Sequence, residues 1–173
     1  ILTIIVEGDD DVRFFEKIIK PKLEASGKYI IIWKYAQRTK KSIKKYANSI
    51  SGKTYWDYLF ICDLDFEPCI RDRIQKYCKK YTGISPDKCD VVIKTIEAWY
   101  LAGVDKIRIK NFGLNDIKNT EKIDKVQFNK MLPNGFDSRN DFMTEMLKEY
   151  DCQLATTKNR SFNHFYYKHV VIN

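Results

Sequence analysis

Short β-branched runs that stop at carboxylates set the strongest limit on how this chain can fold. Ile4-Ile5-Val6 runs into Glu7-Gly8-Asp9-Asp10-Asp11, and Leu59-Phe60-Ile61-Cys62 runs into Asp63-Leu64-Asp65. An apolar run of this length bounded by acids reads as a buried parallel strand with carboxylates at its C-terminal end. That edge is where open α/β sheets bind ligands. Acids gathered there repel one another unless a cation intervenes. A hard, oxygen-loving ion such as Mg²⁺ or Mn²⁺ is the economical neutraliser.

The strands expected are Leu2–Val6, Tyr29–Trp33, Tyr58–Cys62 and the stretch from Cys89 to Lys94. Helical spacing of Val12, Phe15, Ile18 and Ile19 predicts a helix after the first strand, ended or kinked at Pro21. Further helices are expected over Arg38–Ile50, Ile70–Tyr81 and Thr95–Ala102. Alternation of strands and helices implies an α/β fold with a mostly parallel central sheet flanked by helices. Beyond residue 104 the β-branched runs disappear, and short helices are expected at Ile123–Met131, Arg139–Tyr150 and Phe162–Val171. The expected organisation is a core over residues 1–103 and a helical C-terminal extension over 104–173, packed as one unit.

With 173 residues there is enough chain for a sizeable core. No apolar run approaches the roughly 20 residues that span a bilayer, and no signal peptide is visible. The chain opens in a strand without Met, so its true N-terminus is expected to be missing or trimmed. Cys62, Cys69, Cys78, Cys89 and Cys152 form an odd set without a CxxC pair. Their spacings fit no usual zinc pattern, and a cytoplasmic protein with reduced thiols is expected.

The net charge of +8 is unevenly distributed. Seven basic residues and no acid fall between Lys34 and Lys53, among them Arg38, Lys40, Lys41, Lys44 and Lys45. No acid follows Asp151, while Lys158, Arg160 and Lys168 do. A basic surface beside an acidic pocket suits a polyanion whose phosphates meet the pocket through a metal ion. A solvated lysine-rich helix explains the charge equally well.

Each acid has a structural and a functional reading. One of Asp9, Asp10 and Asp11 suffices to cap the following helix, which leaves Glu7 and Asp11 as candidate ligands. Glycine at position 8 is expected to serve a sharp strand-to-helix turn. Asp63 and Asp65, two residues apart on a strand, would share a face and one cation, and Glu67 would extend the cluster. Glu97 stands among apolar neighbours in Thr95-Ile96-Glu97-Ala98-Trp99, where a carboxylate is costly unless paired. Phe162, Phe165, Tyr166 and Tyr167 read as a helix packing on the core, with stacking of single-stranded bases as the alternative. Trp33, Trp56 and Trp99 are expected in the core.

Glu7-Gly8 after the first strand and Asp63-x-Asp65 after a later one resemble the Toprim domain. The resemblance covers roughly residues 2–102. Val6-Glu7-Gly8-x-x-Asp11 with Phe14-Phe15, and Thr95-x-Glu97 after the next strand, look most like the small Toprim-like and OLD-type nuclease branch. The stretch from Ile96 to Ala102 is also similar to Toprim-like proteins of phage-defence and mobile-element systems. The resemblance implies a Toprim-like (Rossmann-like) fold and metal-dependent phosphodiester hydrolysis of DNA or RNA. It makes Glu7 a general acid or base, or a ligand, and has Asp63 and Asp65 hold Mg²⁺ or Mn²⁺. A second ion joins if Asp11 and Glu97 take part. OLD-type enzymes use a basic residue after the core, for which Lys158 and Arg160 are the candidates, Lys158 as catalytic and Arg160 as a nucleic-acid contact.

The chain departs from better-known relatives. It has no recognisable topoisomerase tyrosine setting, no primase zinc domain and no Walker A loop. Any ATPase is therefore expected to be a separate chain or absent, and a defence-system protein is a further candidate partner. Residues 104–173 match no named pattern; covering the site, binding substrate and holding a second subunit are all open to them. Two rival readings stand beside the nuclease. One is a non-catalytic Toprim-shaped module that binds nucleic acid or protein. The other is a DxD phosphatase or phosphotransferase, against which Phe66 directly after Asp65 counts.

Overall fold

The structure is a computed structural model and describes residues 1–172. A four-stranded parallel sheet, ordered β2-β1-β3-β4, is built from β1 (Leu2–Val6), β2 (Ile30–Lys34), β3 (Asp57–Asp63) and β4 (Cys89–Val92). β1 pairs with β2 (Ile5 opposite Trp33) and with β3 (Ile5 opposite Phe60). The chain divides into two compact units, residues 1–91 and residues 92 onward.

In the first unit, alternation along the strands sends Ile5, Tyr58, Phe60 and Cys62 to one sheet face. There they join Ile43, Ala47 and Ile50 of α3 (Lys40–Ile50) and Tyr77 of α4 (Ile70–Lys80) in a single apolar cluster. Thr39 caps α3 by accepting from the Ser42 N–H at 3.1 Å. The helix after β1 is not one α-helix. It runs as α1 (Asp9–Phe14), a π-helical turn (Phe15–Ile19) and α2 (Lys20–Glu24), and continues through Pro21. The wide turn absorbs the hydrogen bond that proline cannot donate, so where an end or a kink was expected at Pro21 the helix runs on with a change of pitch just before it. Buried Phe14, Phe15, Ile19 and Leu23 line its inner side.

The second unit is helical: α5 (Ile96–Ala102), α6 (Lys106–Asn111), α7 (Lys125–Lys130), α8 (Arg139–Met146), α9 (Cys152–Lys158), α10 (Arg160–Tyr166) and a terminal π-helical turn (Tyr167–Val171). All of α5 is buried, and it packs against α7, α8 and α9. Trp99 meets Phe162 and Phe165 at ring-centroid distances of 5.2 and 5.3 Å. Its indole N–H donates to Ser161 Oγ at 2.9 Å. The Tyr150 hydroxyl donates to the Trp99 carbonyl at 2.7 Å. Phe162, Phe165 and Tyr166 of the aromatic tail are thus core, as helical spacing implied, whereas Tyr167 is exposed and Trp33 and Trp56 are only half-buried. No helix among the described residues is long and apolar enough to cross a membrane. All five cysteines are free thiols.

Candidate functional site

β1 and β3 are adjacent and parallel, so their carboxylate-bearing ends lie at the same sheet edge. Extending the Ile5–Phe60 register by two residues brings Glu7 level with Cys62, one residue before Asp63. Neighbouring strands are about 4.8 Å apart. Cys62 reports both acids: burial pushes its thiol up to about 12, with the charges of Asp63 and Glu7 adding and Arg73 opposing.

Glu7 is exposed. Its backbone carbonyl accepts from the Ala36 N–H at 3.0 Å, extending the β1–β2 pairing past the strand. Its Oε2 accepts from the Tyr35 hydroxyl at 3.2 Å and the Tyr77 hydroxyl at 3.5 Å. Tyr35 stacks on Phe60 with centroids 5.0 Å apart, so the sheet core fixes the hydroxyl that holds the carboxylate. Both phenols are pushed up, mainly by burial and further by the Glu7 charge, and act as donors.

Gly8 is extended (φ −128, ψ −174), and a Cβ there would meet only Asp11 Oδ2 at 3.5 Å. The turn does not require glycine. Asp11 is buried, and its Oδ2 accepts from the Gly8 N–H at 3.0 Å, so it is the acid that closes the helix start. Asp9 pairs with Lys34 at 2.5 Å and Asp10 with Arg13 at 2.8 Å.

Asp63 is the last residue of β3 and is half-buried. Asp65 does not share its strand face, because the chain has left the strand and Asp65 adopts the left-handed conformation (φ 52), which aspartate tolerates. The Asp65 carboxylate pairs with Arg73 of α4, a buried arginine. Arg73 also donates to the Tyr77 hydroxyl at 3.0 Å, with its guanidinium 4.4 Å from that ring's centroid. Glu67 pairs with Lys76 and approaches Arg73 Nη1 at 4.0 Å. Glu7, Tyr77, Arg73 and Asp65 therefore form one chain of contacts between the two motifs. Three residues of this edge, Tyr35, Tyr77 and Arg73, escaped sequence reasoning. A buried-face position for Arg73, four residues before Tyr77, was the available signal.

In the second unit Glu97 is 3% exposed, and its Oε1 pairs with Arg139 at 2.5 Å. Glu97 Oε2 and Thr95 Oγ1 are buried with no hydrogen-bond partner among the described residues. Lys158 is buried and donates from Nζ to the Val104 carbonyl at 2.8 Å. Burial lowers its pKa, against the pull of Asp116 and Asp105. It is a helix-end lysine turned inward, not part of an exposed loop. Arg160 is exposed, 3.9 Å from Glu121.

Lys40, Lys41, Lys44 and Lys45 are exposed on α3, and none has an ion-pair partner among the described residues. Arg38 lies 5.8 Å from the Trp33 ring centroid, and Trp33 stacks on Tyr46 at 4.3 Å. A cavity of about 390 Å³ lined by Lys53, Trp56, Asp57, Tyr58 and Lys88 opens at the other end of β3, away from Asp63.

Among the described residues, no three His, Cys, Asp or Glu side chains converge as a metal-holding group. That donor set does not make a closed cage. It does suit an ion that takes one or two carboxylates and completes its shell with water and phosphate oxygens, as Mg²⁺ does. The orphaned Glu97 and Thr95 oxygens are also donors of the type a hard cation takes. Comparison of the chain with protein-family models, curated proteins and solved structures gives no match.

Proposed function

We propose that the protein is a Mg²⁺- or Mn²⁺-dependent nuclease that hydrolyses phosphodiester bonds in DNA or RNA. The observation that carries this reading is the meeting of the two acidic motifs at the ends of adjacent parallel strands, the arrangement that the Toprim resemblance implies. A bound ion would polarise the phosphoryl group and acidify a bound water. Glu7, exposed and oriented by two tyrosine hydroxyls, is the group that takes or returns a proton at the attacking oxygen. Asp63 ends the adjacent strand at the same sheet edge. The lysines of α3 and Arg38 hold the phosphate backbone through charge. Asp11 and Glu97 are buried, and Asp65 and Glu97 are paired with arginines, whereas Glu7 is exposed and meets neutral hydroxyls, so Glu7 carries the most weight in the reading. Cleavage of single- and double-stranded DNA and RNA with Mn²⁺ tests it. Asp63→Ala and Glu7→Gln are expected to lower the rate by about 100-fold or more. Wild-type protein that cleaves none of these substrates, or variants that cleave as well as wild type, would refute it.

A second reading, a non-catalytic module for nucleic acid or protein, is favoured by the arginines that already neutralise Asp65 and Glu97. It predicts oligonucleotide binding that Asp63→Ala leaves unchanged, with no cleavage. Partners from a phage-defence system, a separate ATPase and a second copy of the chain belong to either reading.

A further inference from the structure

Arg73 occupies a buried-face position of α4 that its neighbours fill with Tyr77, Ile74 and Tyr81. Its side chain is 6% exposed. Removing a guanidinium from water costs several kcal/mol even when it is paired, and an apolar residue would satisfy packing at less cost. The groups it meets are those of the acidic edge. It pairs with Asp65, hydrogen-bonds the Tyr77 hydroxyl and stacks on the Tyr77 ring. That hydroxyl reaches Glu7 Oε2 at 3.5 Å. Arg73 Nε is buried and has no hydrogen-bond partner among the described residues. By charge alone, an arginine beside the acids repels a metal ion. A helpful effect on ion binding must therefore act through geometry.

We propose that Arg73 is a positioning residue of the acidic edge: it takes Asp65 as its own counter-ion and, through Tyr77, sets the orientation of the Glu7 carboxylate. The effect on an ion rests on the nuclease reading, while the orientation of Glu7 does not. Two measurements on the full chain separate them. The first is the carboxyl-carbon NMR resonance of Glu7 in metal-free protein. Arg73→Gln and Tyr77→Phe are expected to move it in the same direction, with the double variant adding nothing further. The second is Mn²⁺ affinity from the paramagnetic resonance of free Mn²⁺. Arg73→Gln is expected to weaken binding about 10- to 100-fold, as loss of an outer-sphere partner does, with Arg73→Lys restoring part of it. An unmoved Glu7 resonance, or Mn²⁺ affinity that stays equal or rises in Arg73→Gln, overturns the proposal. Wild-type protein that binds no Mn²⁺ while the Glu7 resonance responds removes the nuclease reading and leaves the inference standing. Should Arg73→Gln fail to melt cooperatively, Tyr77→Phe, which keeps the Arg73–Asp65 pair, carries the same comparison.

Discussion

Replacing Arg139 with Met should destabilise the protein far more than replacing its partner Glu97 with Gln. The two side chains are unequally buried, Glu97 at 3% exposure and Arg139 at 23%. Removing the cation strands a carboxylate away from water, whereas removing the anion leaves a guanidinium that water can reach. Breaking a buried pair from one side costs roughly 3–5 kcal/mol, and the partial exposure of Arg139 places the loss near the lower end, about 3 kcal/mol. Arg139 Nε also donates to Asn129 Oδ1 at 2.9 Å, and its guanidinium lies 5.4 Å from the Phe128 ring centroid. Met keeps an apolar stem against the Phe128 ring but loses the bond to Asn129 together with the charge. Gln at position 97 still accepts a hydrogen bond and should cost about 1 kcal/mol. For a chain of this size each kcal/mol shifts Tm by roughly 2–4 °C. Thermal and urea unfolding followed by circular dichroism should then show a fall of about 6–12 °C for Arg139→Met and about 2–4 °C for Glu97→Gln. Pairing Arg139→Met with Glu97→Leu should recover most of the loss. If Glu97 also holds an ion, millimolar Mn²⁺ should raise the Tm of Arg139→Met more than that of wild type. Equal losses in the two single variants would refute the idea that Glu97 depends on Arg139.

Three further outcomes follow from the same geometry. Burial raises the phenols of Tyr35, Tyr77 and Tyr150 above their ordinary 10.0, and the Cys62 thiol from 9.0 to about 12. The folded state therefore keeps protons that the unfolded chain releases, and stability, complete below about pH 9, falls as pH rises beyond it. Urea midpoints should decline from pH 9 to 11, and Tyr150→Phe should flatten the slope by up to about 1.4 kcal/mol per pH unit. Gly103→Ala would drive a methyl into the Tyr150 ring and should cost about 1–3 kcal/mol in the same unfolding assay. Changing Lys40, Lys41, Lys44 and Lys45 to Gln should leave Tm nearly unchanged. It should also reduce the salt dependence of oligonucleotide binding by about 0.7 in log–log slope for each single-strand phosphate no longer neutralised.

The four strands were legible because each is a short apolar run with a sharp polar boundary, and β3 extends only one residue beyond the expected span at each end. The acids were legible as residues but not as a site. Alternation along a strand predicts a common face for Asp63 and Asp65, and nothing in their spacing reveals that the chain turns left-handed at Asp65. The counter-ion was hidden for a different reason. Arg73 lies within Arg71, Asp72, Arg73 and Lys76, so it reads as part of a solvated face, although Tyr77 and Tyr81 mark positions 73, 77 and 81 as the inner side of α4. In the second unit, α6 and α9 were missed: each is only six or seven residues long with a single fully buried apolar residue or small buried side chains, Ile109 in α6 and Cys152 and Ala155 in α9, so no apolar stripe marks them. Their starts were nonetheless signalled by Asp105 and Asp151, which cap them.

The π-helical turn at Phe15–Ile19 makes this helix unequal in its response to changes of length. Each residue of an α-helix advances about 100° around the axis, and the wide turn takes up one residue more than an α-helical turn would. Deleting Glu16 or Lys17 can therefore be absorbed by tightening that turn to regular α-helix, with Leu23, now 1% exposed, still against the sheet. An inserted residue finds no such slack. It would rotate α2 by a full residue step and carry Leu23 out toward water, so the segment holds a spare residue in one direction only.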